Sequence, residues 1–85
     1  MSYRVEYSAA ASKYLRDLRD AKLLRRFEQT IGGLQDNPRP VGGTKLTGLP
    51  YWRIRVGDYR VVYRIQDDVL LVLVIEIGHR REIYR

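Results

Sequence analysis

The sequence predicts an α+β domain: an N-terminal strand, a helical hairpin and then an antiparallel three-strand meander. These strands would form one sheet with the helices packed on one of its faces. Apolar residues recur at helical spacing between residues 8 and 34, and the period changes to alternation after residue 50. At 85 residues, the chain is expected to be a single domain over residues 1–85, because half this length would not support a workable core.

The first strand is predicted over residues 2–7, followed by Ser8 as the cap of the first helix. The strand places Tyr3, Val5 and Tyr7 on one side and Arg4 and Glu6 on the other. The apolar stripe of the first helix is Ala11, Tyr14, Leu15 and Leu18. The helix is expected to break at Asp20-Ala21.

The second helix carries a longer apolar stripe and ends before two prolines. Its stripe is Leu23, Leu24, Phe27, Ile31 and Leu34. Gly32-Gly33 weakens its last turn, and Asn37-Pro38 with Pro40 ends it. Residues 41–50 are rich in glycine and are predicted to be a loop.

Three antiparallel strands follow, over residues 51–56, 59–66 and 69–77, with tight turns at Gly57-Asp58 and Asp67-Asp68. Residues 82–84 form either a short terminal strand or an irregular tail. The strand over residues 69–77 is apolar on both sides, with Leu70, Val72 and Val74 alternating with Leu71, Leu73, Ile75 and Ile77. One set fits the helical side, and the other is either shielded or available for a protein contact.

The strands that flank Gly57-Asp58 predict a sheet face rich in arginine. A two-residue type II′ turn there pairs residues 52–56 with residues 59–63. The apolar face is then Trp52, Ile54, Val56, Tyr59, Val61, Tyr63 and Ile65. The opposite side, which we call the arginine face, carries Arg53, Arg55, Arg60 and Arg64. Arg55 and Arg60 are predicted to lie directly opposite each other, and like charges so placed destabilise a sheet.

A bound phosphate would remove that conflict, because guanidinium groups match its oxygens. The alternative is that these arginines only keep an exposed face soluble. The sequence Gly78-His79-Arg80-Arg81 follows the long strand, so Arg80 or Arg81 is expected near the same patch. His79 suits proton transfer near neutral pH, although a lone histidine is more often a surface or packed residue.

The composition points to a polyanionic partner and gives little sign of other chemistry. The net charge is +6, and 13 of the 16 basic residues are arginine. The chain has no cysteine, and its one histidine with scattered carboxylates lacks the spacing of metal ligands. The sequence has no membrane span and no secretion signal, so a cytoplasmic protein without membrane contact is expected.

Three segments together resemble the RelE/ParE toxin superfamily over nearly the whole chain. They are residues 45–55 (KLTGLPYWRIR), residues 56–63 (VGDYRVVY) and residues 77–84 (IGHRREIY). The resemblance implies a RelE-like fold of the microbial ribonuclease type and the toxin of a type II toxin–antitoxin system. It favours a RelE-like endoribonuclease that cleaves messenger RNA in the ribosomal A site, inhibiting translation and growth.

The implied chemistry is attack by the RNA 2′-hydroxyl on the adjacent phosphate, with no metal or cofactor. Carried over from RelE-like members, the catalytic residues are Arg53, Arg55, Arg60, Arg80 and Tyr84. Lys45, Arg64, His79 and Arg81 are expected to contact RNA. Well-known members have lysines where this chain has Arg53 and Arg55, and arginine is a poor general base. Proton transfer is then weakly assisted, or His79, Glu82 or a ribosomal group contributes.

The resemblance leaves the target open and implies further partners. ParE-like members poison DNA gyrase without cutting RNA, and a non-catalytic nucleic-acid-binding module is a third hypothesis. Besides messenger RNA and the ribosome, the expected partner is a cognate antitoxin that neutralises the toxin. Operator DNA would be bound only through the complex with that antitoxin.

Overall fold

The computed structural model describes residues 2–79 and has two helices and five strands, with one short 3₁₀ turn. The element order is β1 (Arg4–Tyr7), α1 (Ala9–Arg16), α2 (Ala21–Gly33), β2 (Gly43–Lys45), β3 (Trp52–Val56), β4 (Tyr59–Gln66), the 3₁₀ turn (Asp67–Val69) and β5 (Leu71–His79). No helix in residues 2–79 is long and apolar enough to cross a membrane. The predicted α+β class is confirmed.

The strands form one mixed sheet in the order β1-β5-β4-β3-β2. β1 lies parallel to β5, and the β2–β3, β3–β4 and β4–β5 pairs are antiparallel. Both helices begin at capped residues: the Ser8 hydroxyl accepts from the Ala11 amide at 3.1 Å, and the Asp20 carboxylate accepts from two amides of α2. The expected cap at Ser8 is therefore present, and α2 begins at Ala21 as expected. The first helix already ends at Arg16, so Leu18 of its predicted stripe lies in the connection between the helices.

The core lies between the helices and one face of the sheet. Its fully buried side chains include Phe27 and Ile31 of α2 and Tyr63, Val72 and Val74 of the sheet. These are the residues that the helical stripe and the strand alternation place inward. Their burial leaves the opposite face of β3, β4 and β5 as the surface on which the arginines can lie.

Residues 41–50 are not entirely a loop, because Gly43–Lys45 forms β2 at the sheet edge. Gly43 pairs with Ile54 and lies against the Tyr63 side chain: a Cβ on Gly43 would be 3.0 Å from the Tyr63 hydroxyl oxygen. That hydroxyl donates to the Pro38 carbonyl at 2.8 Å. The pairing depends on these distant contacts, which a glycine-rich three-residue segment does not reveal in the sequence.

The last strand begins two residues later than expected and contains a bulge. Residues 67–69 form a 3₁₀ turn, after which Leu70 adopts φ 50°, in the left-handed region. The β4–β5 register shifts between Val62 and Tyr63. Because of this shift, Ile77 pairs with Val61 on the helical side and does not follow the alternation expected from Leu71 and Leu73.

Candidate nucleic-acid interface

The arginine face exists as the sequence predicted. β3 and β4 pair in the expected register, with Arg55 opposite Arg60 and Arg53 opposite Val62. Arg64, two residues after Val62, is on the same side and pairs with Leu73 of β5. Directly opposed Cβ atoms in such a ladder are about 5 Å apart. The register therefore concentrates guanidinium groups on one side of two adjacent strands.

The turn that joins these strands has the geometry required for this register. Gly57 has φ +60°, whereas Asp58 is not among the residues with positive φ. This combination is the one that a type II′ hairpin turn requires, and glycine adopts the first position without strain. A two-residue turn fixes the pairing of Val56 with Tyr59. Alternation along β3 then places Arg53 and Arg55 on the same face of the sheet.

Burial differs sharply among the four arginines. Arg60 is only 6% exposed, whereas Arg55 and Arg64 are exposed and Arg53 is intermediate. The backbone next to Arg60 on β5 is Gly78, so no side chain from that strand stands directly beside it. The sequence had not indicated this burial. A nearly buried guanidinium keeps its charge and acts in surroundings less screened by water.

Glu76 is a residue of this face that sequence reasoning missed. It pairs with Val62 and is exposed, so its carboxylate lies on the arginine face, diagonal to Arg60 and Arg64 on the neighbouring strand. Strict alternation from Val72 and Val74 would have turned residue 76 towards the core. The bulge turns the Glu76 side chain to the opposite face of the sheet. The signal for this in the sequence was a glutamate inside an otherwise apolar strand.

Two expected RNA contacts lie on the other side of the sheet. Lys45 pairs with Trp52, and His79 pairs with Tyr59, so both follow the face that packs on the helices. The His79 ring contacts the Tyr59 ring edge to face at 5.3 Å. The bulge again explains the difference for His79, because it changes which residues of β5 point to each side. The structure does not bring Lys45 or His79 to the arginine face.

The remaining expected site residues, Arg80, Arg81 and Tyr84, lie outside the described residues, as does Glu82. Their roles stay predictions from the resemblance. Within residues 2–79, no three His, Cys, Asp or Glu side chains are grouped closely enough to hold a metal ion. The described part of the candidate interface is therefore Arg53, Arg55, Arg60, Arg64 and Glu76.

Comparison with known proteins identifies the family to which this chain belongs. Residues 5–84 match the model of the ParE toxin of type II toxin–antitoxin systems. Toxin RelG of Mycobacterium tuberculosis is 33% identical over 88 residues, covering all of this chain and 99% of RelG. Toxin RelE of the same organism is 36% identical over 86 residues, covering 98% of this chain and 87% of that protein.

Solved structures agree with the fold over nearly its full length. The RelE chain of the archaeal RelE–RelB complex from Pyrococcus horikoshii superposes with a TM-score of 0.82 at 29% identity, covering 94% of this chain and 97% of that one. The toxin in the intact E. coli RelBE complex gives 0.81 at 26% identity, covering 92% and 96%. With its five-stranded sheet, its arginine face and these matches, the chain belongs to the ParE toxin family of type II toxin–antitoxin systems, within the RelE/ParE superfamily.

Proposed function

We propose that this toxin is an endoribonuclease that cleaves messenger RNA in the ribosomal A site and thereby stops translation. The observation that supports the proposal most directly is the presence of Arg53, Arg55 and Arg60 on one sheet face. RelE-like members use this face for RNA, and the similar proteins from M. tuberculosis and P. horikoshii carry RelE or RelG names. The reaction would need no metal or cofactor.

In the proposed reaction, the RNA 2′-oxygen bonds to the adjacent phosphorus and the bond from phosphorus to the 5′-oxygen breaks. The products are a 2′,3′-cyclic phosphate and a 5′-oxygen, which takes up a proton from the solvent and becomes a 5′-hydroxyl. Arg60 would hold the non-bridging phosphate oxygens as their negative charge increases. Arg53 and Arg55 would bind the flanking backbone, and the fixed placement of these cations lowers the barrier.

The 2′-hydroxyl proton needs an acceptor, which arginine does not provide. Glu76 is an exposed carboxylate on the arginine face, whereas His79 is on the helical side. We therefore assign proton acceptance to Glu76 in preference to His79. Arg80 would neutralise charge on the phosphate, and Tyr84 would stack on a base, as the resemblance implies.

The second proposed partner is a cognate antitoxin. The similar structures from P. horikoshii and E. coli are complexes of RelE with RelB, and that from M. tuberculosis is the RelBE2 toxin–antitoxin complex. An antitoxin of this chain would cover the arginine face with acidic residues, because complementary charge gives fast and selective association. Operator DNA would then be bound through the antitoxin in that complex.

The test is brief expression in bacteria followed by mapping of new RNA 5′ ends. We expect cuts confined to translated frames, absent for Arg60→Ala and reduced for Glu76→Gln. Because Arg60 is buried, the exposed Arg55→Gln provides a second variant with little risk to folding. Arg4→Gln is the matched control, since Arg4 is an exposed arginine that pairs with Glu6 in β1, at the edge of the sheet away from β3. Cuts that persist in all three site variants would refute the assignment.

A gyrase poison is the second candidate, because the matching family model is that of the ParE toxin. It predicts growth arrest with intact messages and accumulating DNA breaks. The same expression experiment separates the two functions, since RNA ends and DNA breaks are measured from one culture. Binding to nucleic acid that weakens with salt, without either product, would instead indicate a non-catalytic module.

A further inference from the structure

Ile75 is the extra residue of the bulge in β5. Val62 pairs with Glu76 and Tyr63 pairs with Val74, so Ile75 has no partner in the β4–β5 register. A bulged residue interrupts the ladder of hydrogen bonds, and its backbone groups need other partners. The bulge decides on which face of the sheet Glu76 lies, so the contacts that hold Ile75 also affect the proposed proton acceptor.

The burial pattern of β5 requires this extra residue. Val72 and Val74 are fully buried on the helical side, and the next buried apolar side chain is that of Ile77. A spacing of three residues does not fit strict alternation, in which positions 72, 74 and 76 share a side. The bulge brings Ile77 into the core and leaves Glu76 exposed on the arginine face. The core therefore fixes where the bulge lies, but it does not satisfy the backbone carbonyl of Ile75.

Ser8 provides the partner for that carbonyl. Its hydroxyl donates to the Ile75 carbonyl oxygen at 2.6 Å. Its amide donates to the Val74 carbonyl oxygen at 2.8 Å, one residue beyond the last pair of β1 with β5, which is Tyr7 with Val74. Because both contacts come from one half-buried residue, two successive carbonyl groups of β5 are tied to the start of α1.

The same hydroxyl oxygen caps α1 by accepting from the Ala11 amide at 3.1 Å. A hydroxyl group can donate one hydrogen bond and accept two, so both bonds can be present together. A cap alone needs only an acceptor, and aspartate or asparagine serves equally well at an N-cap. Asp20 does so at the start of α2, where its carboxylate accepts from two amides. The bond to Ile75 needs a donor, which a carboxylate does not provide.

We propose that Ser8 is a positioning residue for the nuclease reaction, because its hydroxyl fixes the bulge at Ile75 and thereby the direction of the Glu76 side chain. The proposal rests on the proposed function, in which Glu76 accepts the proton of the RNA 2′-hydroxyl. Ser8 acts through the backbone of β5 and needs no contact with RNA. Proton transfer depends on this placement, since moving a reacting group by about 1 Å can slow a reaction by about a hundredfold.

The test compares Ser8→Gly, which removes the hydroxyl, with Ser8→Thr, which keeps it. Glycine at an N-cap costs little stability, so Ser8→Gly is expected to fold. Asp20→Gly is the matched control, because it removes the side-chain cap of α2 and leaves the bulge unchanged. Cleavage of ribosome-bound message is measured at saturating toxin, which gives the rate of cleavage in the complex. Its dependence on toxin concentration gives the affinity.

We expect Ser8→Gly to lower the rate of cleavage in the complex by about tenfold to a hundredfold, with little change in affinity. Ser8→Thr should restore the rate, and Asp20→Gly should leave it unchanged. In a Glu76→Gln background, Ser8→Gly should lower the rate no further, because the carboxylate that Ser8 positions is already gone. A purely structural role of Ser8 would reduce the rate by the same factor in both backgrounds, and that result would overturn the proposal.

Amide hydrogen exchange provides a measurement that does not depend on nuclease activity. Exchange at residues 75–77 should be faster in Ser8→Gly, and not in Ser8→Thr or Asp20→Gly, because a bulge without this tie opens more often. Unchanged exchange in Ser8→Gly overturns the proposal, as does cleavage at the full rate by Glu76→Gln. If the unmodified chain cleaves no RNA while exchange responds as expected, the proposed function and the catalytic role of Ser8 both fail, and the hold of Ser8 on the bulge is upheld.

Discussion

Arg55→Glu should stabilise this protein while removing the proposed nuclease activity. Arg55 and Arg60 are directly opposed across β3 and β4, so the substitution replaces a like-charge pair with an opposite-charge pair. Such a repulsion costs a few tenths of a kcal/mol to about 1 kcal/mol, and an attraction contributes a similar amount. Arg55 is exposed, which weakens both terms through solvent screening, whereas Arg60 is only 6% exposed.

We therefore expect the free energy of unfolding to rise by about 1 kcal/mol, near the middle of that range. In a domain of this size, that change raises Tm by about 4–8 °C. The assay is thermal unfolding followed by circular dichroism at low salt, with the nuclease assay on the same protein. Raising the ionic strength should reduce the difference in Tm between the variant and the parent.

Arg64→Glu is the matched control, because Arg64 is exposed on the same face but pairs with Leu73. It should not raise Tm, because a glutamate at position 64 is opposed by no arginine and lies diagonal to the Glu76 carboxylate. A Tm that falls in Arg55→Glu, or rises equally in both variants, would refute the argument that Arg55 and Arg60 repel each other. If Arg55→Glu is more stable but keeps full nuclease activity, the argument for repulsion between Arg55 and Arg60 holds, and Arg55 is not part of the site.

Tyr63→Phe should lower the free energy of unfolding by about 1–2 kcal/mol in urea denaturation, because its buried hydroxyl, whose pKa burial raises to about 12, donates to a loop carbonyl. Asp67→Asn removes the bond to Arg39, which holds the pKa of Asp67 at about 2, below its usual 3.8. The contribution of ionised Asp67 to the free energy of unfolding is present above pH 4 and is lost as the pH falls from about 4 to about 2. Denaturation of parent and variant at a series of pH values should therefore show their difference in stability shrinking over that range. Gly57→Ala should lower the free energy of unfolding by about 1–2 kcal/mol, measured by the same denaturation, because it forces φ +60° on alanine and crowds Arg26.

The hairpin could be predicted from sequence because its determinants are local. A glycine at the first position of a two-residue turn sets the pairing of β3 with β4, and alternation then assigns each arginine to a face. Arg55 and Arg60 are only five residues apart, so no distant contact enters the argument. The same reasoning gave the helical stripes and the α+β class.

The errors arise where the chain depends on distant contacts or on one extra residue. β2 is three residues long and forms because Gly43 fits against Tyr63, twenty positions away. The bulge in β5 changes the side of Glu76 and His79, and no turn residue marks it in the sequence. The burial of Arg60 also had no local signal, because alternation predicts which face a side chain lies on but not how deeply it is buried. Sequence reasoning therefore found the arginines but missed the carboxylate beside them.

The arginine face opposes folding, and a bound polyanion would relieve the repulsion. Arg55 faces Arg60 directly across β3 and β4. A small domain has a modest stability reserve, so an uncompensated like-charge pair is costly to it. Binding to the folded state stabilises it by mass action. The protein should therefore unfold at a higher temperature with RNA present, and this gain should decline as salt weakens the phosphate contacts.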